Sequence, residues 1–355
     1  MFNREVKDVF RKRDRVGDVG IEIEAEFHDP VTVETPAGWE LHAEGSIRGN
    51  GYEFVLRQPC KLDKVDEYLS RIYDKVIDQF PVVADSKNTS VHVHLNCLRM
   101  TMKQVVSTVM LYSILEPFIY SIWDEHRKGN LFCLSFEDCT EQADALKALS
   151  EGRKLEADHY KYASLNLACV SNRGSIEFRA MHFPCTKEDI HNWITILSEI
   201  KVAGMAMEPV DVISRMSEMG VQGLIDEYVP SLKDRYDADL EYQAYENMYP
   251  FQDLAYNHFR IVEVTLDNYL NTEGIDSNKS IIDGLQPFTR EHLTHIKEAL
   301  TTDIFVPDEI DNDYMIDMYQ HFDRLRNHKI HRNAMRNLRE IEVGDLRFDE
   351  GEGLV

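Results

Sequence analysis

The stretch Gly20-Ile21-Glu22-Ile23-Glu24-Ala25-Glu26-Phe27 alternates apolar and acidic side chains over most of its length. A period of two is the signature of a strand, because successive side chains leave a pleated backbone on opposite sides. Ile21, Ile23, Ala25 and Phe27 share one face; Glu22, Glu24 and Glu26 share the other. Three carboxylates along one face repel each other. They need either open solvent, as on a solvated edge strand, or a cation between them.

The same design recurs along the chain. Ser90-Val91-His92-Val93-His94-Leu95-Asn96 sets Val91, Val93 and Leu95 against His92, His94 and Asn96. A lone histidine is usually structural, whereas His-x-His beside a carboxylate cluster suits a metal or a phosphate. In Arg173-Gly174-Ser175-Ile176-Glu177-Phe178-Arg179, Ile176 and Phe178 point one way and Glu177 and Arg179 the other. That pair reads either as a cross-strand salt bridge or as part of a site. Glu53 alternates with apolar neighbours in Tyr52-Glu53-Phe54-Val55, after His42-Ala43-Glu44-Gly45-Ser46. Four strands thus each present an apolar face and a face of acids, imidazoles or arginine.

The predicted strands are Val19 to Phe27, Gly51 to Gln58, Ser90 to Cys97, Tyr162 to Val170 and Ser175 to Phe183. The last two are expected to form an antiparallel hairpin through Ser171-Asn172-Arg173-Gly174. Helices are expected over Lys61 to Gln79, Thr101 to Asp124, Thr140 to Ser150 and Lys187 to Met207, the last capped by Thr186 with an acidic first turn. This order predicts an α+β fold: a mixed, mainly antiparallel sheet with helices on one face and a concave, charged face on the other. Beyond Met207 the pattern is helical, broken by acidic linkers such as the one at 308–313, so residues 1–205 read as a sheet domain and 206–355 as a helical region.

Composition excludes several functions. With 39 basic and 63 acidic side chains the chain carries a net charge of −24, which opposes sequence-independent nucleic-acid binding and attraction to anionic membranes. Two basic runs, near Arg11 and at 324–339, fit solvated helix faces or internal counter-charges. The first residues hold no apolar stretch of a secretory signal, and the apolar segment from Val105 to Trp123 is interrupted by Glu116-Pro117. Six scattered cysteines form no C-x-x-C pair. The expectation is a soluble protein of a reducing cytoplasm.

A floor lined by Glu22, Glu24, Glu53, His92 and Glu177 is an oxygen-rich ligand set with one imidazole, which favours Mg²⁺ or Mn²⁺ over zinc. Such metals beside arginine equip a site for phosphoryl transfer, and no G-x-x-x-x-G-K-[ST] loop is present. Crowding among the acids predicts that neutralising Glu22 or Glu24 leaves the metal-free protein as stable or more so.

The succession G-I-E-I-E, E-G-S with Y-E-F, H-V-H, K-Y-A-S-L-N-L and G-S-I-E-F-R resembles the amidoligase family, relatives of glutamine synthetase and glutamate-cysteine ligase, over roughly residues 17–205. The resemblance implies a glutamine-synthetase-like sheet and an ATP- and Mg²⁺-dependent ligase joining a small-molecule or peptide carboxylate to an amine through an acyl phosphate. It implies metal ligation by Glu22, Glu24, Glu53, His92 and Glu177, with His94, Arg127, Asn166 and Arg179 toward the nucleotide or substrate. Glu53, Glu177 and Arg179 would be the catalytic set. Glu44 departs from the family's more frequent Asp before Gly-Ser. Two other functions remain open: a phosphagen-kinase-like phosphotransferase with a stable phosphorylated product, and a non-catalytic nucleotide-binding or scaffold protein acting through its helical region.

Overall fold

A computed structural model of the chain describes residues 3–255 apart from 33, 44–46, 48–49, 85, 124–126, 128–129, 131–132, 140 and 157–161. Glu44, the residues flanking Arg127 at 126 and 128–129, the acidic linker at 308–313 and the basic run at 324–339 lie outside the described residues. Two compact units divide the chain, Met1–Val212 with Val221–Asn247 and Ile213–Gly220 with Met248–Val355; the first holds the whole sheet.

The order of elements is α1 (Val6–Val9), β1 (Val19–Phe27), β2 (Trp39–Ala43), β3 (Asn50–Leu56), α2 (Val65–Ile72), β4 (Ser90–Asn96), α3 (Met102–Tyr120), α4 (Gln142–Ser150), β5 (Leu165–Asn166), α5 (Ala168–Asn172), β6 (Ser175–His182), α6 (Lys187–Ala206), α7 (Pro209–Tyr228) and α8 (Glu241–Asp253). The fold is α+β, and the six strands run in the order β2-β3-β1-β4-β6-β5. Every pairing between them is antiparallel, so the sheet is not mixed.

The alternation of β1 is realised as read. Ile21, Ile23, Ala25 and Phe27 are buried, and they lie in one apolar layer with Phe54, Val91, Val93, Ile176 and Phe178. Burying one such large apolar side chain contributes about 1.5–3 kcal/mol, so a one-residue slip, which would exchange these side chains for three carboxylates, is strongly opposed. Helices α3 and α6 cover this layer. Tyr112 of α3 packs at a tilt against Phe178 with ring centroids 5.0 Å apart, and the Trp193 ring of α6 lies 6.5 Å from Tyr112. The two helices approach closely at Gly204, where a Cβ would meet the Thr108 backbone at 2.5 Å.

Helix α3 is buried on nearly all sides, which explains its lack of amphipathic pattern. A Thr101–Gln104 capping box starts it. Pro117 removes the amide that would serve the Ser113 carbonyl, and the side chain of Asn247 donates to that carbonyl instead at 2.7 Å. Thr186 and Asp189 form the expected cap of α6.

Three expectations need correction. Strand β2 was not among the predicted strands; its Trp39-Glu40-Leu41-His42-Ala43 alternates over only five residues. The strand expected over Tyr162 to Val170 shrinks to Leu165–Asn166, because Asn166 Oδ1 accepts from the Ala168 amide at 3.1 Å and turns the chain into α5. The β5–β6 pairing persists, but α5 makes the connection. It ends at Arg173 and Gly174, with Gly174 at φ 78°, where a Cβ would also meet Leu98 Cδ2 at 2.2 Å. The helix expected from Lys61 is α2 flanked by a 3₁₀ turn and a π turn.

Among the described residues no helix is long and apolar enough to cross a membrane.

Candidate metal centre

Strand register builds the site row by row on the face opposite the apolar layer. Glu22 stands opposite His92, and Glu24 opposite Glu53, which in turn stands opposite His42. Gly20, His94, Glu177 and Asn166 form the neighbouring row. Between Val91 and Val93 the β4–β6 register shifts, Val91 facing Met181 and Val93 facing Phe178. The extra residue of β6 lies against His92, and it brings Arg179 there.

The side chains interlock. Glu22 Oε2 lies 3.2 Å from His92 Nδ1 and Oε1 3.1 Å from His94 Nε2. Arg179 Nη1 donates to Glu177 Oε1 at 2.7 Å and lies 3.3 Å from His92 Nδ1. Asn166 Nδ2 and Cys169 Sγ both donate to Glu177 Oε2, at 2.7 and 3.0 Å. Arg173 reaches Glu22 Oε1 at 3.2 Å.

The hydroxyl of Ser90 fixes the tautomer of His92. It donates to Glu24, which leaves it to accept from His92 Nε2, 2.8 Å away. With the proton on Nε2, a neutral ring turns the Nδ1 lone pair toward Glu22, Glu177 (3.8 Å) and Arg179. Nδ1 can accept from Arg179, but it cannot then donate to Glu22. A carboxylate oxygen 3.2 Å from a lone pair is a contact that a cation would relieve.

Burial by itself would raise the Glu22 pKa; the His92 and His94 rings beside it, which in their charged forms would both donate to it, outweigh burial and hold the carboxyl well below its usual range. Burial likewise opposes ionisation of Glu177, but the charges of His94, Arg179 and His92 bring its pKa down to about 2. Desolvation would strip His94 of its proton, yet the Glu22 carboxylate keeps its pKa above the ordinary value. Burial first, then Glu177, pushes the Cys169 thiol up. Glu22 and Glu177 are therefore ionised acids held by neighbouring counter-charges. The lowered Glu22 pKa argues against the expectation that neutralising Glu22 leaves the metal-free protein as stable or more so, because in the fold this carboxylate is held by its partners.

The donor atoms of Glu22, His92 and Glu177 lie within 4.8 Å of one another, as do those of His94, Cys169 and Glu177. The first group is two carboxylates and an imidazole, a donor set suited to Mg²⁺ or Mn²⁺. His92 there has the outer partner typical of a metal-binding histidine, in Ser90 and Glu24. Glu53 is half-buried at the edge of the floor. Arg127 is 2% exposed, and its guanidinium donates to the Arg179 carbonyl, so it stands behind the floor. Asn166, also buried, uses its amide on Glu177 and on the start of α5.

Sequence reasoning left Ser90, Cys169, Arg173 and Ser175 without roles. Ser90 could have been found, since it stands two residues before His92 on the same face. Ser175 lies 3.3 Å from His94 Nδ1 and is likewise in phase with Glu177. Cys169 carries no such signal because α5 replaces the strand predicted there. No protein-family model and no curated protein matches the chain.

Proposed function

We propose that the chain is an ATP- and Mg²⁺-dependent carboxylate-amine ligase, with Mn²⁺ able to replace Mg²⁺. The observation that carries this reading is the His92 Nδ1 lone pair set between Glu22 and Glu177 with an arginine beside it. The sequence resemblance to the amidoligase family and the antiparallel sheet, which we read as glutamine-synthetase-like, support it. Six free cysteines suit a reducing, cytoplasmic setting. The acidic balance of the chain favours small-molecule or peptide partners over nucleic acid.

In the first step a carboxylate oxygen of the acid bonds to the γ-phosphorus of ATP as the bond to the bridging oxygen breaks, releasing ADP. In the second, the amine nitrogen bonds to the acyl carbon, the acyl carbon–oxygen bond breaks, phosphate departs and the nitrogen sheds a proton. Glu22, His92 and Glu177 would hold the divalent ion, with Glu24 and Glu53 on the adjoining row. The ion would supply charge neutralisation for the phosphate oxygens. Arg179 points an N–H toward the same locus for the transferred group, and Ser90 and Glu24 keep His92 in register with it. His94 lies on the side of the floor where nucleotide phosphates or acid would approach. Arg127 would act from one layer behind, on Arg179, and Asn166 from within the floor's own row, on Glu177.

The test is turnover of ATP with Mg²⁺ against a panel of acids and amines, with oxygen-18 in the acid's carboxylate. A ligase releases ADP and phosphate, and the phosphate carries label. A stable phosphorylated product would indicate a phosphotransferase, AMP would refute the acyl-phosphate route, and metal binding without turnover on any pair would favour a nucleotide-binding protein.

A further inference from the structure

Of the six free cysteines, Cys169 is the one that stands among metal-ligating side chains within the described residues. One donor atom each of His94, Cys169 and Glu177 lies within 4.8 Å of the others, and all three residues are buried. This trio shares Glu177 with the group of Glu22, His92 and Glu177, but a thiol takes the place of the second carboxylate. Thiolate with imidazole selects thiophilic ions such as Zn²⁺, whereas the carboxylate-rich group suits Mg²⁺ or Mn²⁺.

The two carboxylates divide their oxygens between the groups. Glu177 Oε1 faces His92 at 3.8 Å and Arg179 at 2.7 Å, whereas Oε2 faces Cys169 at 3.0 Å. Glu22 Oε2 lies 3.2 Å from His92, and Oε1 lies 3.1 Å from His94. Glu177 can therefore bridge two ions, with Glu22 Oε1 beside the second. Ser175 Oγ, 3.3 Å from His94 Nδ1, gives that ring the outer partner of a metal-binding histidine. A cavity lined by Gly20, Glu22, His94 and Arg173 gives an ion a way in. Arg173 reaches Glu22 Oε1 at 3.2 Å, but its side chain is 58% exposed, and water weakens such a pair enough for an ion to displace it.

We propose that His94, Cys169 and Glu177 form a second metal site, selective for a thiophilic divalent ion such as Zn²⁺ and joined through Glu177 to the centre of Glu22, His92 and Glu177. As the ion binds, the thiol proton and the proton that His94 holds toward Glu22 leave to solvent, and bonds from the ion to sulfur and nitrogen take their place. Loss of the S–H contact frees a lone pair of Glu177 Oε2 for the ion, while Asn166 keeps the other. The site goes beyond the ligase reading, since neither nucleotide nor acid takes part in it.

Co²⁺ is the probe for the thiophilic ion, because a cobalt–thiolate bond gives a charge-transfer band in the near ultraviolet. Mn²⁺, followed by its electron paramagnetic resonance, reports the other centre. The reduced full chain loaded with Mn²⁺ is expected to take up one Co²⁺ with that band, to keep its Mn²⁺, and to show a Mn²⁺ resonance broadened by the neighbouring ion. Cys169→Ser retains a hydroxyl to donate to Glu177, so its Mn²⁺ affinity should hold. In it the band should vanish and Co²⁺ affinity fall at least about tenfold, the smaller loss typical of removing even an outer partner of a metal ligand. His94→Gln should weaken Co²⁺ as well, which tests the trio even where one variant fails to fold. No Co²⁺ uptake, uptake without the band, a band that survives Cys169→Ser, or displacement of Mn²⁺ one for one overturns the proposal. A Mn²⁺ resonance that bound Co²⁺ leaves unchanged overturns the bridge through Glu177. Failure to bind Mn²⁺, with the Co²⁺ band present in the parent and absent from Cys169→Ser, would sink the ligase reading and support the thiolate site.

Discussion

Replacing Ser90 by alanine tests the logic of the metal centre at its least conspicuous member. Ser90 is 2% exposed, and its hydroxyl is the link between the Glu24 carboxylate and His92 Nε2. Alanine removes a hydrogen bond to a charged group, which contributes about 1.5–3 kcal/mol, and leaves a carboxylate only 8% exposed with one donor fewer. It also frees the His92 ring to rotate or to change tautomer. Loss of an outer partner of a metal-binding histidine typically weakens the metal about 10- to 100-fold, which is about 1.4–2.7 kcal/mol. Urea unfolding of the metal-free chain should show the first loss, and Mn²⁺ titration the second. Ser90→Thr keeps the hydroxyl, so it should recover most of the metal affinity even where its added methyl group costs stability. If Ser90→Ala unfolds at a lower urea concentration but binds Mn²⁺ like the parent, His92 Nδ1 is not a ligand and the argument from its lone pair fails.

The same geometry sets other outcomes. Glu22→Gln should abolish Mn²⁺ binding and, because Glu22 and Glu177 have depressed folded pKa values, destabilise the metal-free protein near neutral pH; a melting temperature at or above the parent's would refute the partner network. In the parent, the stability held by these two acids is present above their ordinary value of 4.5 and is lost as pH falls toward about 2, which acid unfolding of parent and variant would resolve. Glu116, fully buried in α3 with its pKa raised by desolvation to about 7, works in the opposite sense: its contribution is intact below pH 4.5 and is lost as pH rises through 7, by at most about 3 kcal/mol. Urea unfolding across that range should show a falling stability whose slope is reduced in Glu116→Gln. Arg179→Lys should lower turnover roughly 10²-fold with a smaller loss in ATP affinity, since lysine lacks the planar fork; equal kinetics would make Arg179 only a partner of Glu177.

Strand alternation made much of the fold legible. β1 runs over Val19–Phe27 as its pattern predicts, and β4 and β6 match to one residue. Where period two is interrupted, legibility stops. Ser164-Leu165-Asn166-Leu167 alternates as a strand would, but from Ala168 to Val170 the alternation is lost, and the Asn166 side chain accepts from the Ala168 amide where α5 begins. The bulge in β6 was invisible for a related reason. A strict alternation from Ser175 to Phe183 would place Ala180 and His182 with Phe178, whereas the register shift pairs Met181 with buried Val91 and His182 with Ser90. A one-residue insertion leaves no mark in composition, only a change of phase.

The floor's membership was readable because each acid or imidazole sits in phase on its own strand, but the arrangement around Arg179 is a property of the layer beneath. The amide of Arg179 donates to the Ser164 carbonyl at 2.7 Å, and its own carbonyl accepts from Arg127 and from the Cys133 thiol. Ser164 in turn donates its hydroxyl to Glu116, which also receives the Phe136 amide at 2.6 Å. A backbone held at both its polar atoms cannot pivot without breaking buried hydrogen bonds, so the guanidinium at the floor is aimed from behind. Residues 116, 127, 133 and 164 come from separate parts of the chain, and no spacing in the sequence connects them. Arg127, which resemblance placed with the nucleotide, is joined to the proposed chemistry through the Arg179 carbonyl. In the proposed reaction a basic residue this deeply buried would act through the rigidity it gives another arginine, and that rigidity would let a charged group meet developing negative charge without reorganising first.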